Sequence, residues 1–410
     1  MMPRQLQAVE KAAALLLLAY PLLMLTVRGG MNGVFILMLL LSILVWAIRL
    51  EEMNKEEWRH EWTLYVVSMF GLSIAISISQ LWNQTLSAHP YDAASRYWLG
   101  IPVFLLLVRL RLTIITVLQF AFPVAAIAGF VLSEEIKDGR LGLKTLDLIH
   151  FGNFELLLGV MSLVMLNWLK RDKLLLQLLK LLGFVAGAAA SLASGERGGW
   201  LAIPVFFILF VYFNSSRITF RVFATSVSLM ALALGILYFV NDNLHNRTRQ
   251  LITDVANYKQ GYRDSSTGIR WQLYGAALDV FVEHPFVGVG PDGFALQLEP
   301  MVKEKKLTPY AAHIGRGEVH NDLLASAAEL GIFGLTAMLA IYIIPIRLFW
   351  LFTKSPINHV RRTGIMGVFF VSGFMVFGLT ANFLNLTLVT AFYSFTIAAL
   401  LAAGYTKKSC

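Results

Sequence analysis

Residues 12–48 read AAALLLLAYPLLMLTVRGGMNGVFILMLLLSILVWAI. Two apolar runs, Ala12–Val27 and Val34–Ile48, flank a turn at Arg28, Gly29 and Gly30, and Arg28 carries the only charge in the stretch. Each run approaches the ~20 apolar residues that take a helix across a bilayer core. No water is present there to satisfy peptide groups, so such runs must be helical. A cleavable leader would stop after the first run. Here a second follows directly, so the first is expected to be a retained span. The same pattern recurs along the chain. Of 410 residues, 57% are hydrophobic and 14% charged, against ~25% charged in soluble domains. That excludes a soluble globular protein.

Reading outward from this pair predicts an all-α integral membrane protein with about twelve transmembrane helices. The remaining spans are placed at Thr63–Leu81, Tyr97–Val108, Leu112–Leu132, Phe151–Leu169, Leu174–Ser194, Trp200–Phe213, Ile218–Val240, Leu323–Phe352, Thr363–Thr380 and Leu386–Gly404. Residues 1–240 hold the first nine, 241–322 form one large polar loop, and 323–410 hold the last three, together one integrated membrane domain. With the N-terminus in the cytoplasm, the inner segments carry 17 Lys and Arg and the short outer loops carry 6. Basic residues favour the inner side, so both ends are expected in the cytoplasm and the large loop outside. The net charge of +9 suits this topology and anionic lipid better than nucleic acid.

Long structureless loops are uncommon in compact proteins, so the large loop should carry short helices packed over the bundle. Asn241–Leu251 and Ile269–Glu283 have helical character, and Pro285–Gly293 has that of a turn-rich connector. Intramembrane charge is scarce. Lys180 and Arg347 are expected to snorkel from inner helix ends, and Glu155 and Glu329 to lie near outer ends. An ion-coupled transporter would place such a group nearer the midplane.

Three motifs carry chemistry. Ser194-Gly195-Glu196-Arg197-Gly198-Gly199-Trp200 is a tight turn that holds Arg197 at the outer surface. A guanidinium there suits a lipid-linked phosphate or diphosphate, although a plain turn with a solvated arginine reads the same way. Arg270-Trp271 opens a helix in the loop, where free N–H groups favour an anion. Trp271 would stack on a sugar or sit at the membrane interface. His320 stands where the loop enters the tenth span. A histidine can take a proton from an attacking hydroxyl near neutral pH, with Glu318 or Asp322 to orient it. The alternative is a histidine that only caps the helix.

Other signals are negative. Gly288–Gly293 matches GxGxxG formally, but no βαβ unit surrounds it, and it reads as a structural elbow. His313 and His320 lie seven apart with no HExxH or Asp-x-Asp partner, so neither a metal nor a cofactor is expected. The single cysteine, Cys410, excludes a CxxC redox or metal motif.

In this order the motifs resemble those of the O-antigen ligase family, whose superfamily includes O-antigen polymerases and some protein O-oligosaccharyltransferases. Ser194–Gly198 is similar to that family's Ser-x-x-Arg-Gly turn. Arg270-Trp271 with His284-Pro285-x-x-Gly288-x-Gly290 is similar to its Arg…Trp…His-Pro-x-x-Gly-x-Gly segment. His320-Asn321 with Leu323 and Leu324, then Glu329-x-Gly331-x-x-Gly334, is similar to its closing signature, and Gly152-Asn153 to a Gly-Asn element. The resemblance implies a GT-C-type membrane glycosyltransferase in the bacterial inner membrane, working at the periplasmic face. It implies an undecaprenyl-diphosphate-linked polysaccharide as donor, lipid A-core oligosaccharide as acceptor, and inverting, metal-independent transfer. On that reading His320 is the general base, Arg197 and Arg270 meet the diphosphate, and the bundle holds the polyprenyl chain. Lys303, Lys305, Lys306, Arg247 and Arg249 could meet acceptor phosphates or headgroups, although a solvated charged face reads the same way. A polymerase or a protein-glycosylating ligase would keep the same residues, and a polyprenyl-glycan transporter is the alternative from another class.

Overall fold

The computed structural model describes residues 3–48, 58–110, 112–137, 139–167, 171–214, 253–254 and 260–405. Within them the chain is almost all helix. The first half runs α1 Pro3–Thr26, α2 Gly30–Ala47, α3 His60–Asn83, α4 Tyr91–Arg109, α5 Ile114–Val131, α6 Leu148–Val164, α7 Leu174–Ser194 and α8 Ala202–Asn214. A small antiparallel hairpin, β1 Glu134–Lys137 and β2 Arg140–Gly142, stands between α5 and α6. The large loop contributes α9 Ser266–Glu283, α10 Phe294–Lys303 and α11 Pro309–Gly315. Three long helices close the chain: α12 Asp322–Thr353, α13 Asn358–Gly378 and α14 Thr387–Tyr405.

Eight of these (α1, α2, α3, α5, α7, α12, α13 and α14) are long and apolar enough to cross a membrane, and α6 and α8 are shorter apolar helices. The expected fourth span is α4, which begins six residues early and carries Pro102 inside it. The expected ninth span, 218–240, and the expected helix 241–251 lie outside the described residues. The hairpin has no counterpart among the elements that the sequence predicts.

α14 forms the centre. Every residue from Val389 to Tyr405 is buried, as befits a helix apolar on all sides. α4, α2 and α13 pack against it. The loop helices build a second, smaller core of their own, in which Leu273, Val280, Phe294, Leu298 and Ala311 close onto Ala325 and Ala328 at the start of α12.

α12 is not continuous. Gly331 adopts φ 63°, ψ −151° and breaks it, a region essentially restricted to glycine. The Pro285–Gly293 elbow fills the break. Val289 N–H donates to Ala328 O (3.1 Å), Gly290 N–H to Glu329 O (2.9 Å) and Ile332 N–H to Pro285 O (2.8 Å). Ser79 on α3 donates its hydroxyl to Val287 O (2.6 Å). Backbone groups freed by a broken helix must find partners inside the protein, and the elbow supplies them. The approach is close on both sides. A Cβ on Gly331 would collide with the backbone of Phe286, and one on Gly288 with the backbone of Glu329.

Two expectations about charge are corrected. Lys180 does not snorkel. It is fully buried, with its ammonium 2.8 Å from Asp172 Oδ2 and 2.8 Å from Met165 O. Asp172 follows α6 closely in sequence and folds back over α7, so the cation is satisfied inside the protein. Glu155 is not near a helix end. It sits midway along α6, fully buried, against Gly129 of α5 and Leu25 of α1. α6 starts at Leu148, three residues before the apolar run suggests, which shifts Glu155 inward. A carboxyl group therefore lies mid-helix inside the packed bundle, away from either helix end.

Candidate functional site

The candidate residues gather at one end of the bundle, around the segment 379–384 that joins α13 to α14. The first contribution is the turn after α7. Gly195, at φ 65°, ends the helix. Glu196 Oε1 then accepts the N–H of Gly198 (3.0 Å). Arg140 of the hairpin donates Nε–H to Ser194 O (2.5 Å) and lies 3.9 Å from Glu196 Oε2. The turn is clamped on two sides. A Cβ on Gly199 would collide with Asn153 Oδ1, and one on Gly198 would meet Thr380 Oγ1 at 2.6 Å. The Gly152-Asn153 element thus packs directly under the turn that carries Arg197, and Thr380 packs over it. Arg197 is half-buried there.

The second contribution is α9. Ser265 caps it, accepting the N–H of Gly268 (3.2 Å), so the helix starts three residues earlier than Ile269. Arg270 is half-buried, while Trp271 points outward and is 44% exposed. One turn on, Tyr274 places its hydroxyl 3.0 Å from His320 O and 2.9 Å from Leu379 O. Burial raises the Tyr274 phenol above its ordinary range, and the positive charge of Arg270 opposes that rise. Tyr274 therefore links α9, His320 and segment 379–384.

The third contribution is the start of α12. Asn321 caps it, accepting from Leu323 and Leu324 N–H (both 3.0 Å). Its own N–H donates to Asn382 Oδ1 (3.1 Å), and its side chain donates to Leu379 O (3.2 Å). His320 just before it is held at φ 64°, a left-handed conformation uncommon outside glycine. Its Nδ1 lies 2.5 Å from Glu318 Oε1, within ion-pair range though not aligned as a hydrogen bond. Of the two carboxylates expected beside His320, Glu318 is thus the one that meets it.

Asp322 is committed elsewhere. It is fully buried. Oδ1 accepts the N–H groups of Phe383 (2.6 Å) and Leu384 (3.1 Å), and Oδ2 accepts the hydroxyl of Tyr342 (2.9 Å). It clasps segment 379–384 to α12.

Motif reading missed several participants. Tyr274 and the connector Thr380-Ala381-Asn382-Phe383 hold the site together, and the connector's signal is the polar pair Thr380 and Asn382 between two apolar runs. Asp147 and His150 form a further pair. Asp147 caps α6, accepting the N–H groups of Ile149 and His150 (both 2.9 Å), and its Oδ2 lies 2.5 Å from His150 Nδ1. The His150 ring stacks on Phe383 at 4.8 Å. Among the other loop cations, Lys306 is engaged by Glu304 (3.1 Å) and Asp279 (3.7 Å). Arg247 and Arg249 lie outside the described residues.

Residues 182–339, from the middle of α7 to the middle of α12, match the family model described as O-antigen ligase. Over these residues the chain is similar to the O-antigen ligase family. The match encloses the Arg197 turn, α9, the elbow and His320. The chain is also similar to the O-antigen ligase of Escherichia coli K12, at 24% identity over 217 residues, 52% of this chain and 50% of that protein. An uncharacterized protein of Haemophilus influenzae is 24% identical over 242 residues, 58% of this chain and 59% of that one. The chain therefore aligns with between half and three-fifths of the length of these relatives.

Proposed function

We propose that this chain is a member of the O-antigen ligase family and a GT-C-type glycosyltransferase. It would transfer a polysaccharide from undecaprenyl diphosphate to the lipid A-core oligosaccharide, at the periplasmic face of the bacterial inner membrane, with both termini in the cytoplasm. One observation carries the reading: the Arg197 turn, Tyr274 beside Arg270, and His320 all close on segment 379–384.

The acceptor hydroxyl oxygen attacks the anomeric carbon as the bond from that carbon to the diphosphate oxygen breaks. Undecaprenyl diphosphate leaves, and the configuration inverts. Charge develops on the departing diphosphate, where fixed cations stabilise it most. Arg197 and Arg270 supply that charge without a metal. His320 takes the hydroxyl proton on Nε2, while Glu318 at Nδ1 orients the ring and balances the imidazolium. Trp271, exposed on α9, offers a face for a sugar. The clustering of these groups at one end of the bundle, rather than along a path through it, favours transfer over transport.

The test is a reconstituted assay with undecaprenyl-diphosphate-linked polysaccharide, rough lipopolysaccharide and EDTA, read as a gel mobility ladder. His320→Ala should lower the rate ~10²–10⁴-fold, the usual contribution of a general base. His320→Asn, which tolerates the left-handed backbone better, should fall as far. Wild-type transfer that needs a divalent cation, or survives both substitutions, would sink the mechanism. Longer chains on undecaprenyl diphosphate with none on lipopolysaccharide would identify a polymerase instead.

A further inference from the structure

At the other end of the bundle, α6, α8 and α13 enclose a cavity of about 540 Å³, within the ~300–1,000 Å³ usual for small-molecule sites. Its walls are apolar: Leu163 and Val164 from α6, Phe210 and Phe213 from α8, and Ile365 and Phe369 from α13. Its polar lining is Asn167, Asn214, Arg361 and Arg362, and among the described residues no carboxylate contributes to it. We propose that this cavity binds an anionic glycerophospholipid, with the phosphate at Arg361 and Arg362 and the start of an acyl chain along the phenylalanine wall.

The cationic rim is preorganised. Arg362 donates from Nη1 to Asn167 O (2.6 Å). Asn167 is itself locked to Asp172, accepting its N–H on Oδ1 (3.0 Å) and donating its own N–H to Oδ2 (2.7 Å). Asp172 is fixed by the buried Lys180 at 2.8 Å. The local carboxylate is therefore already engaged by another cation. Arg361 is exposed and donates to Asn358 Oδ1 (3.2 Å), one turn back on its own helix. Both arginines lie near the N-terminal end of α13, where the helix dipole adds to the positive potential.

The surroundings set the depth. Trp350 of α12 stacks on Tyr212 (5.5 Å) and packs against Phe213 (5.8 Å), while Lys354 lies 4.9 Å over the same indole. Tryptophan, tyrosine and lysine together mark a membrane–water interface. An apolar slot at that depth, with guanidinium groups at its mouth, matches a lipid whose headgroup carries net negative charge. Basic pockets between transmembrane helices bind such headgroups. A zwitterionic lipid would find no acidic partner among the described lining residues for its cationic group. The site lies apart from the transfer chemistry.

The test uses the purified full chain in detergent, exchanged with phosphatidylglycerol or with phosphatidylcholine of the same acyl chains, and retained lipid is counted by native mass spectrometry. Wild type should retain phosphatidylglycerol at least about fivefold better, the effect of one basic residue near a headgroup. Arg361→Gln should lower phosphatidylglycerol retention about fivefold and leave phosphatidylcholine unchanged. Val164→Phe, which fills the slot, should lower both. An unchanged melting midpoint in lipid-free detergent shows that each variant is folded, and the exposed Arg361 serves if the core variant is not. Equal retention of the two lipids, or phosphatidylglycerol retention untouched by Arg361→Gln, overturns the proposal. Glycerol 3-phosphate that displaces phosphatidylglycerol at equal concentration would reveal an anion site without an acyl component, and overturns it too.

Discussion

Replacing Asp322 with alanine removes one buried acceptor for three donors: the N–H groups of Phe383 and Leu384 and the hydroxyl of Tyr342. An unsatisfied buried donor costs about 1–3 kcal/mol, so the three together cost about 3–9 kcal/mol, a large share of a typical ~5–15 kcal/mol stability. Asp322→Asn should be far milder. Its carbonyl oxygen can take the place of Oδ1 and keep both backbone donors, and the Tyr342 hydroxyl can turn to accept from the new amide. What is lost is the charge on two hydrogen bonds, about 1–2 kcal/mol. Melting of the purified protein in detergent, followed by tryptophan fluorescence, should rank wild type above Asp322→Asn above Asp322→Ala. The proposed transfer activity should follow the same order, because segment 379–384 holds Asn321 and Tyr274 through Asn382 and Leu379. A dead Asp322→Asn with near-wild-type melting would refute the clasp and place the carboxylate in the chemistry.

Gly331→Ala combines a disallowed backbone with a Cβ that would collide with the backbone of Phe286. It should cost more than the ~1–3 kcal/mol of backbone strain alone and leave little folded protein on size-exclusion chromatography. Asp172→Ala strands the buried Lys180 and should cost about 3–5 kcal/mol, whereas Lys180→Met with Asp172→Ala should recover most of it, as melting of the single and double variants will show. Asp147 gives a pH dependence. Burial pushes its carboxyl up, but the hydrogen bond and charge of His150, with two backbone N–H groups, hold it below the usual aspartate range. A depressed pKa adds stability above the unfolded value, ~3.9, that is lost as pH falls through the folded one. Asp147→Asn should therefore flatten the melting curve's decline below about pH 4, and an unaltered acid limb would count against the pairing.

The helices follow from one-dimensional information. An apolar run in lipid has to satisfy its own backbone, so Ala12–Val27 or Thr63–Leu81 is helical whatever its neighbours do. Local caps are equally direct: Ser265 before α9 and Asn321 before α12 bond residues two or three positions away. The turn at Arg197 and the elbow at Pro285–Gly293 are visible for the same reason, since their glycines mark local backbone needs. Partner choice between distant segments is not. Glu318 and Asp322 each stand two residues from His320, so spacing cannot choose between them. In the folded chain Glu318 reaches the imidazole while Asp322 turns inward to Phe383, 61 residues away. Lys180 is apolar-flanked in sequence, yet Asp172 folds over to meet it. The break at Gly331 exists because an elbow from before α10 supplies its missing hydrogen bonds. Hydropathy records how each residue prefers lipid or water. Which polar groups meet depends on how the helices close around α14, and that is a property of the packed bundle.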